Sequence, residues 1–473
     1  MQNGLNRIPE TVKSVHFIAI CGTAMAALAA ALKDMGINVT GSDENVYPPM
    51  STFLEKRKIP VGTGFDPANL DCRPDLVVVG NAVRRENPEA VRVCKDGLCY
   101  CSMPQAVNHF LVSGKKAVVV AGTHGKTTTS SIIAWLLYSA GYDPTFMIGG
   151  IVKNFDANYR VGKGEYVVLE GDEYDTAFFD KGAKFFHYPP EIAVLTGVEF
   201  DHADIFKDLD HVMDTFNRFV TGIGKEKHLI AWDGDENVVR LAAGVSCIVE
   251  RYGAGAGSCW KMENTYVNPP WNGFDVFCGN RFFGNFKTRL VGGHNRMNTL
   301  AAIAVCAHAG LSSDQIGTGL ESFSGVRRRQ EIRETKKGVV VMDDFAHHPT
   351  AVRETVAAVK DFYPDGRLIA VFEPRTNTSM RSVFQEVYPK SFDCADIICI
   401  RKPPLLKKVP ENERFSSQKL VCDLNSRKKE AHFFPDTDGI ISFVAGIARP
   451  GDVVLIMSNG GFDNIHERLL TAL

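Results

Sequence analysis

Residues 122–127 read Gly-Thr-His-Gly-Lys-Thr and lie between an apolar run at 117–121 and a helix-forming segment at 128–140. A buried strand that ends in a glycine turn at a helix start directs backbone N–H groups at phosphate oxygens. Lys126 would place a positive charge at the terminal phosphates, and the Thr127 hydroxyl would reach a magnesium ion. Val120 stands where the general phosphate loop has its first glycine, so this loop is a shorter form. We predict a nucleoside triphosphate site; the alternative is a surface turn that carries Gly-Lys-Thr by chance.

Two acidic clusters follow the next predicted strands, at 166–169 and 192–195. Their members are Glu170, Asp172, Glu173 and Asp175 in the first cluster, and Glu199, Asp201, His202 and Asp204 in the second. The carboxyl ends of parallel strands meet at one sheet edge, where open α/β sheets bind ligands. Carboxylates there suit a metal-bound triphosphate, whereas hard cations such as Mg²⁺ use histidine less often. A solvated acidic loop is the alternative for the first cluster.

Other polar groups follow glycine turns or strand ends in the remainder of the chain. Asn295 and Asn298 open a helix and share one of its faces, although asparagine at a helix start is often only a cap. The three arginines at 327–329 form either a solvated hinge or a phosphate clamp. The groups after the last predicted strands are Asp343, Asp344, His347, His348, Arg375, Ser458, Asn459, Gly460 and Gly461. Adjacent histidines rarely face one ligand, so zinc at 347–348 is disfavoured.

The elements that would position these groups begin with a Rossmann-like block. It has a strand at 15–20, a turn at 21–23, a helix at 24–35, a strand at 39–43 with an acidic end and a further strand at 76–79. Only Gly22 of the usual three glycines is present. This disfavours a dinucleotide and favours a nucleotide diphosphate at the turn 22–24. A nicotinamide-dependent dehydrogenase is the rival function that this block raises.

Two more blocks of alternating strands and helices follow. The second comes after a small basic linker at 113–116 and ends with a helix at 298–309; its segment 254–270 reads as loops or an antiparallel edge. The third comes after a charged stretch at 327–337, with strands at 339–342, 368–372, 397–400 and 453–457 and a helix at 349–359. This alternation predicts parallel sheets. We therefore expect an α/β fold of three domains, at 1–113, 114–328 and 329–473.

The composition excludes several classes of function. The chain has 473 residues, a formal net charge of −2 and no long basic run, which disfavours nucleic acid as a partner. It has no window of about 18 consecutive apolar residues, so no membrane helix is expected. Residues 1–10 lack the pattern of a signal peptide. The 12 cysteines form no CxxC pair, which favours reduced, buried thiols and a cytoplasmic protein.

Taken in order, these motifs resemble those of the Mur ligase family over essentially the whole chain. The carrying segments are GTHGKTTT (122–129), EGDEYD (170–175), EFDHAD (199–204), GGHNRMN (292–298), GVRRR (325–329) and DDFAHHPT (343–350). The resemblance implies a Rossmann-like N-terminal domain that binds a UDP-sugar, a central P-loop ATPase with a mostly parallel sheet, and a C-terminal Rossmann-like α/β domain that binds the incoming amine. It also implies ATP and Mg²⁺ as cofactors.

The resemblance assigns a role to each candidate residue. For ATP these are Gly122, Thr123, His124, Gly125, Lys126, Thr127, Thr128, Asn295, Arg328, Arg329 and Asp343. Thr127, Glu170 and His202 match magnesium positions, and Lys126, Glu170 and His202 are the expected catalytic groups. The UDP-sugar residues would be Gly22, Thr23, Ala24, Met25, Ser42, Asp43 and Asn81; the amine residues would be His347, His348, Arg375 and Asn459. Gly197 stands where relatives often have asparagine, and is therefore left out of the predicted site.

A second set of segments resembles family members that join UDP-N-acetylmuramate to the tripeptide L-Ala-γ-D-Glu-meso-diaminopimelate in peptidoglycan recycling. These segments are ICGTAM (20–25), GSDENVYPPMS (41–51), EYDTAFFDKGAKFFHY (173–188), FEPRTNT (372–378) and MSNGGF (457–462). A UDP-N-acetylmuramate–L-alanine ligase is the alternative within the family, and a P-loop ATPase switch or binding protein is the alternative outside it. We expect a monomer or weak homodimer with neither nucleic acid nor membrane as a partner.

Overall fold

Short runs of valine, isoleucine and leucine form the central strands of the molecule. In the computed structural model, which describes residues 3–203 and 205–473, the run Leu76–Val79 is buried at every position. Strands that are covered on both faces are typical of parallel sheets. The described residues divide into two compact units. The first comprises the chain up to Val198, Asp210–Lys261 and Ala301–Leu320, and the second comprises Glu199–Leu209, Met262–Leu300 and Glu321–Leu473.

The first unit opens with a parallel sheet of five strands. They are β1 (Ser14–Ile18), β2 (Asn38–Asp43), β3 (Val61–Thr63), β4 (Leu76–Val79) and β5 (Tyr100–Ser102), in the order β3-β2-β1-β4-β5. The helices of this part are α1 (Thr23–Asp34), α2 (Met50–Lys56), α3 (Pro88–Asp96) and α4 (Met103–Val107). This strand order is that of a Rossmann-like sheet, whose ligand crevice lies where the order reverses, between β1 and β4.

A second sheet of the first unit carries the phosphate loop. Its strands are β6 (Lys116–Ala121), β7 (Thr145–Val152), β8 (Ala157–Arg160), β9 (Tyr166–Gly171), β12 (Ile192–Leu195), β13 (His228–Trp232) and β14 (Ile248–Gly253); β10 (Asp175–Ala177) and β11 (Asp180–Ala183) form a separate hairpin. The order is β14-β13-β12-β6-β9-β7-β8, and only β8 is antiparallel to its neighbour. The helices are α5 (Lys126–Ser139), α6 (Leu209–Thr221), α7 (Glu236–Ala243), α8 (Gly293–His308) and α9 (Ser313–Ser322). The part of α8 up to Leu300 belongs to the second unit, and the part from Ala301 belongs to the first.

The second unit contains a mostly parallel sheet between two apolar layers. Three strands come first in the chain, β15 (Trp260–Asn268), β16 (Trp271–Cys278) and β17 (Arg281–Thr288). The sheet itself has the order β18-β19-β23-β20-β21-β22, with β18 (Glu331–Lys336), β19 (Val339–Asp344), β20 (Leu368–Phe372), β21 (Ile397–Arg401), β22 (Glu430–Phe434) and β23 (Val453–Met457). Its helices are α10 (Pro349–Phe362), α11 (Ser417–Ser426), α12 (Thr437–Ile447) and α13 (Ile465–Ala472). Phe372 packs in the core on one face, and Ile456 in the core on the other.

The predicted α/β class with parallel sheets is confirmed, and several local expectations change. Segment 254–270 contains the full strand β15, and α8 begins five residues before the predicted start at 298. All 12 cysteines are free thiols, but Cys72, Cys394 and Cys422 are exposed, not buried. No helix among the described residues is both long and apolar enough to cross a membrane. Asp204, the last residue of the second acidic motif, lies outside the described residues.

Candidate active site

The loop after β6 is held in a tight turn by the end of β12. Gly122 has a φ of +134°, a backbone conformation that favours glycine. The Thr123 N–H donates to the Gly197 carbonyl at 2.8 Å, and the Thr196 hydroxyl donates to the carbonyls of Ala121 and His124. A turn of this form before the start of α5 can bind phosphate. Gly197 was left out of the predicted site, yet its backbone supports the loop.

We expect Gly122→Ala to abolish tight ATP binding. A β-carbon at this position would lie 2.4 Å from Thr196 Oγ1 and 2.9 Å from the Gly197 oxygen, so the loop must move. The added strain is about 1–3 kcal/mol. Calorimetric titration with ATP should detect the loss, while Gly244→Ala should bind normally because a β-carbon there meets nothing within 4 Å. Equal ATP affinity in the two variants would contradict a role for the turn geometry.

Lys126 lies in a buried network of opposite charges. Its Nζ donates to the Gly122 carbonyl at 2.5 Å and to Glu173 Oε2 at 3.0 Å. Burial opposes the charge of Lys126, but Glu173 and Asp172 outweigh it and raise the pKa of the ammonium group. Lys184 Nζ bonds Asp172 Oδ2 at 2.9 Å. Lys126 is therefore charged and fixed at the turn, where it can attract phosphate.

Glu170 and Thr127 meet at the carboxyl end of β9, as the sequence predicted. The Thr127 hydroxyl donates to Glu170 Oε2 at 3.1 Å, and the Gly149 N–H donates to Oε1 at 2.6 Å. Burial and the charge of Asp172 raise the pKa of Glu170. A group of oxygens whose negative charge is poorly solvated is suited to a hard divalent cation. These two side chains therefore fit a magnesium ion on chemical grounds.

A cavity of about 650 Å³ in the first unit is lined both by the Rossmann-like turn and by Glu170. Its lining includes six predicted UDP-sugar residues: Gly22, Thr23, Ala24, Met25, Asp43 and Asn81. Ser42 is not among the lining residues, since it is fully buried and donates to Glu89 Oε2 at 2.5 Å. Lys184 and Tyr188 also line the cavity and were not singled out from the sequence. The basic, aromatic pattern of segment 173–188 was the signal that could have indicated them.

Asp43 shapes the turn at the mouth of this cavity. Its Oδ2 accepts from the Cys21 N–H at 2.8 Å, and its Oδ1 accepts from the Asn45 N–H at 2.9 Å. Burial and the charge of Asp43 raise the pKa of the Cys21 thiol to about 11. Cys21 is therefore a neutral thiol at physiological pH. A thiol in this neutral form is a poor nucleophile.

Asp201 of the second unit lies among three histidines. Burial alone would raise its pKa, but His202, His347 and His348 lower it to about 2. His348 Nε2 is 3.2 Å from the Phe200 carbonyl, and its Nδ1 accepts from the Thr350 N–H at the start of α10. His202 has a φ of +51°, which is uncommon for a residue other than glycine. The structure thus brings two segments that are distant in sequence, 199–203 and 343–350, to one place.

The predicted nucleotide residues of the second unit form two groups. Asn295 Nδ2 donates to the Val291 carbonyl at 2.9 Å, and Asn298 Nδ2 donates to Asn295 Oδ1 at 3.1 Å, so both lie on one face of α8 as predicted. Arg328 bonds the carbonyls of Ser458 and Gly460 and lies 3.6 Å from Asp343. The guanidinium of Arg329 stacks over the Phe345 ring at 4.7 Å. The Arg328 guanidinium therefore already donates to two carbonyls of the loop that follows β23.

Arg375 extends across the glycine loop after β23. A β-carbon on Gly460 would lie 2.2 Å from Arg375 Cδ, so only glycine allows this approach. Glu373, fully buried, lies 3.6 Å from Arg375, accepts from Ser458 at 2.7 Å and pairs with Arg401. The Oδ1 atom of Asn459 is buried and has no hydrogen-bond partner in the part of the chain that the structure describes. An unsatisfied buried acceptor in the loop that Arg375 crosses suits a polar ligand.

We expect Arg375→Ala to raise the KM for a carboxylate-bearing amine substrate about 10- to 100-fold, because a charge-assisted hydrogen bond contributes roughly 1.5–3 kcal/mol. The KM for ATP should change little. Steady-state kinetics with each substrate varied in turn would measure both values. Arg353→Ala is the matched control, since Arg353 is exposed and, among the described residues, forms its ion pair with the adjacent Glu354. A change confined to the ATP KM would contradict this assignment.

Comparison with known proteins identifies the family to which the chain is similar. Family models match residues 14–113 (Mur ligase family, catalytic domain), 120–306 (Mur ligase middle domain) and 328–460 (Mur ligase, glutamate ligase domain). The UDP-N-acetylmuramate–L-alanyl-γ-D-glutamyl-meso-2,6-diaminoheptandioate ligase of Escherichia coli (strain K12) is 39% identical over 460 residues, covering 97% of this chain and 98% of that protein. A UDP-N-acetylmuramate–L-alanine ligase of Caldanaerobacter subterraneus is 32% identical over 463 residues, covering 98% of each.

A solved structure is also similar over nearly the full length. The crystal structure of a murein peptide ligase from Psychrobacter arcticus 273-4 matches with a TM-score of 0.71 and 34% identity, covering 97% of this chain and 98% of that one. The parallel sheets, the short phosphate loop and the carboxylate at the end of β9 define an ATP-dependent ligase. The chain belongs to the Mur ligase family.

Proposed function

We propose that the protein joins the lactyl carboxylate of UDP-N-acetylmuramate to the α-amine of L-Ala-γ-D-Glu-meso-diaminopimelate, with hydrolysis of ATP, in peptidoglycan recycling. The observation that carries the proposal is the cavity in which Gly22, Asn81 and Glu170 face one space. Its volume of about 650 Å³ suits a sugar nucleotide whose acid end reaches the phosphate-loop side. The choice of tripeptide is supported by the 39% identity to the Escherichia coli ligase that is named for it.

The chemistry requires two anions to react. The lactyl carboxylate attacks the γ-phosphorus of ATP, which gives an acyl phosphate and ADP; the amine then attacks the acyl carbon and phosphate leaves. Lys126, with Arg328 and Arg329 as further cations, offsets the repulsion between the carboxylate and the phosphates. Thr127, Glu170 and His202 would hold Mg²⁺, which supplies charge neutralisation when bound. His347, His348, Arg375 and Asn459 position the amine substrate.

The organisation of the chain follows from the same proposal. Residues 1–113 bind the UDP-sugar, 114–328 bind ATP, and 329–473 bind the peptide. The protein acts in the cytoplasm, where all three substrates are available, as a monomer or weak homodimer. It uses neither nucleic acid nor a membrane as a partner.

The experiment compares ADP formation with the tripeptide and with L-alanine, each in the presence of UDP-N-acetylmuramate, ATP and Mg²⁺. We expect the tripeptide to give the higher kcat/KM and mass spectrometry to detect the UDP-linked tripeptide. A preference for L-alanine would favour the other ligase activity, for which the 32% identity to the Caldanaerobacter protein is the supporting observation. ADP release that needs neither the sugar nucleotide nor an amine would favour an ATPase switch instead.

A further inference from the structure

A cluster of two histidines and one glutamate lies in the first unit, outside the cavity described above. His228 is the first residue of β13, and Glu250 lies on the adjacent strand β14. In the parallel register His228 pairs with Ile248 and Ile230 pairs with Glu250. Because side chains alternate along a strand, His228 and Glu250 point to the same face. His308, the last residue of α8, meets them there.

The ligand atoms of the three side chains converge on one point. His308 Nε2 is 2.7 Å and His228 Nδ1 is 3.7 Å from the same atom, Glu250 Oε1, and one ligand atom from each residue lies within 4.8 Å of the others. The two imidazole rings are 4.4 Å apart. Glu250 Oε2 is held from the other side by the Trp260 indole N–H at 2.8 Å. The carboxylate is therefore oriented so that one oxygen faces both histidines.

The two imidazole nitrogens are poorly satisfied by the protein. His228 Nδ1 and His308 Nε2 are buried atoms, and neither has a well-aligned hydrogen bond among the described residues. His308 Nε2 faces Glu250 Oε1 at an ion-pair distance of 2.7 Å, whereas His228 Nδ1 is 3.7 Å from the same oxygen. The side chains are 19–25% exposed, which leaves access for an ion and a water ligand. A buried imidazole nitrogen without a hydrogen bond, such as His228 Nδ1, indicates a missing ligand.

We propose that His228, Glu250 and His308 bind one divalent transition-metal ion of the zinc class. Two imidazoles and a carboxylate, with water in the fourth position, form a set that Zn²⁺ uses, whereas Mg²⁺ prefers oxygen ligands. The bound ion connects the end of α8 to strands β13 and β14. None of the three residues lines the cavity, so the ion has a structural role and is separate from the magnesium site. This inference does not depend on which substrates the enzyme uses.

The experiment titrates chelator-treated protein with Zn²⁺ in excess Mg²⁺, which occupies the oxygen-rich sites. We expect one equivalent to bind to the wild type and an upward shift of its thermal midpoint. His228→Gln and His308→Gln should each lose this equivalent and the shift. His432→Gln is the matched control, because His432 is also beside a glutamate, Glu430, but the described residues offer no third ligand to this pair. Absence of binding to the wild type, or retention of the equivalent in either cluster variant, would overturn the proposal.

Cobalt substitution gives a second test that needs no variant. A Co²⁺ ion bound by imidazole and carboxylate should show only weak visible bands. The chain also has 12 free cysteines, and Co²⁺ bound to thiolate gives a strong near-ultraviolet charge-transfer band. If one equivalent of Co²⁺ produced this charge-transfer band, the ion would be bound by cysteine, and the His228–Glu250–His308 site would be refuted. Absence of the band, with visible bands that saturate at one equivalent, would support the site.

Discussion

Lys126→Ala should reduce kcat by about 10²–10³-fold or more at saturating ATP and Mg²⁺, which is the scale of removing a preorganised charge at a reacting group. Lys126 is 12% exposed, and Glu173 and the Gly122 carbonyl fix its Nζ. Negative charge shifts among the phosphate oxygens as the acyl phosphate forms, and a fixed ammonium group stabilises it without reorganisation. Rapid-quench measurement of acyl phosphate or ADP formation would show that the loss lies in this step.

The same substitution has a second effect that must be separated from catalysis. It leaves Glu173, 3% exposed, without its cationic partner. Breaking a buried ion pair from one side costs about 3–5 kcal/mol of folding stability. The double variant Lys126→Ala, Glu173→Gln should recover much of that stability, because the carboxylate that pairs directly with Lys126 is then replaced by a neutral amide. Turnover should stay low in the double variant, because the ammonium group is still missing.

Lys116→Ala is the matched control for Lys126. Lys116 is the first residue of β6, the strand that leads into the phosphate loop, but its side chain is half-exposed and paired with Glu165 at 2.9 Å, so turnover should be close to that of the wild type. If the double variant regained both stability and turnover, the role of Lys126 would be structural. If Lys126→Ala alone kept near-normal kcat, the assignment of this lysine to phosphoryl transfer would be wrong.

Local sequence patterns predicted those elements of the fold whose conformation depends on residues close by in the sequence. The strands at 76–79, 192–195, 368–372 and 453–457 match the structure residue for residue, since continuous apolar runs can be covered only inside a parallel sheet. The helix predicted at 128–140 begins two residues earlier, at Lys126, directly after the glycine turn. By contrast, β15 is mostly exposed along its length, so its polar composition resembled a loop. Its strand conformation comes from pairing with neighbours, which sequence pattern does not contain.

The sequence predicted the site residues that lie at the ends of strands. It did not predict the contacts that depend on how distant parts of the chain pack together. Glu170 and Thr127 meet because β6 and β9 are neighbours in a parallel sheet, which the strand-end rule anticipates. The support of the loop by the Gly197 carbonyl has no side-chain signal at all. Ser42 looked like a ligand residue, but its hydroxyl bonds Glu89, 47 positions away. Such long-range partners depend on how helices cover the sheet, and only the folded structure identifies them.

Glu170→Gln should lower kcat by about 10²-fold and raise the Mg²⁺ concentration needed for half-maximal rate by about 10–100-fold, the range for a changed metal environment. The substitution keeps the shape of the side chain. It removes the negative charge, and the amide can accept only one of the two hydrogen bonds from Gly149 and Thr127. Initial rates at several Mg²⁺ concentrations, with ATP saturating, would measure both changes.

The pKa of Glu170 gives the physical reason for so large an effect. Burial and the charge of Asp172 make its ionised form costly, which is the direction of the raised pKa. A divalent cation reverses that cost, since it turns a poorly solvated carboxylate into a ligand. The neutral amide of glutamine gains no such stabilisation from a cation, so the metal should bind more weakly even when the fold is intact.

Glu191→Gln is the matched control for Glu170→Gln. Glu191 directly precedes β12, at the amino end of a strand in the same sheet, and it pairs with Lys227 at 2.5 Å. Ligands bind beyond the carboxyl ends of such strands, so Glu191→Gln should leave the Mg²⁺ dependence unchanged. A shift of the Mg²⁺ requirement in both variants would indicate a general electrostatic effect. An unchanged requirement in Glu170→Gln would show that this carboxylate does not bind the metal, and that the cation depends on other oxygens at the phosphate loop.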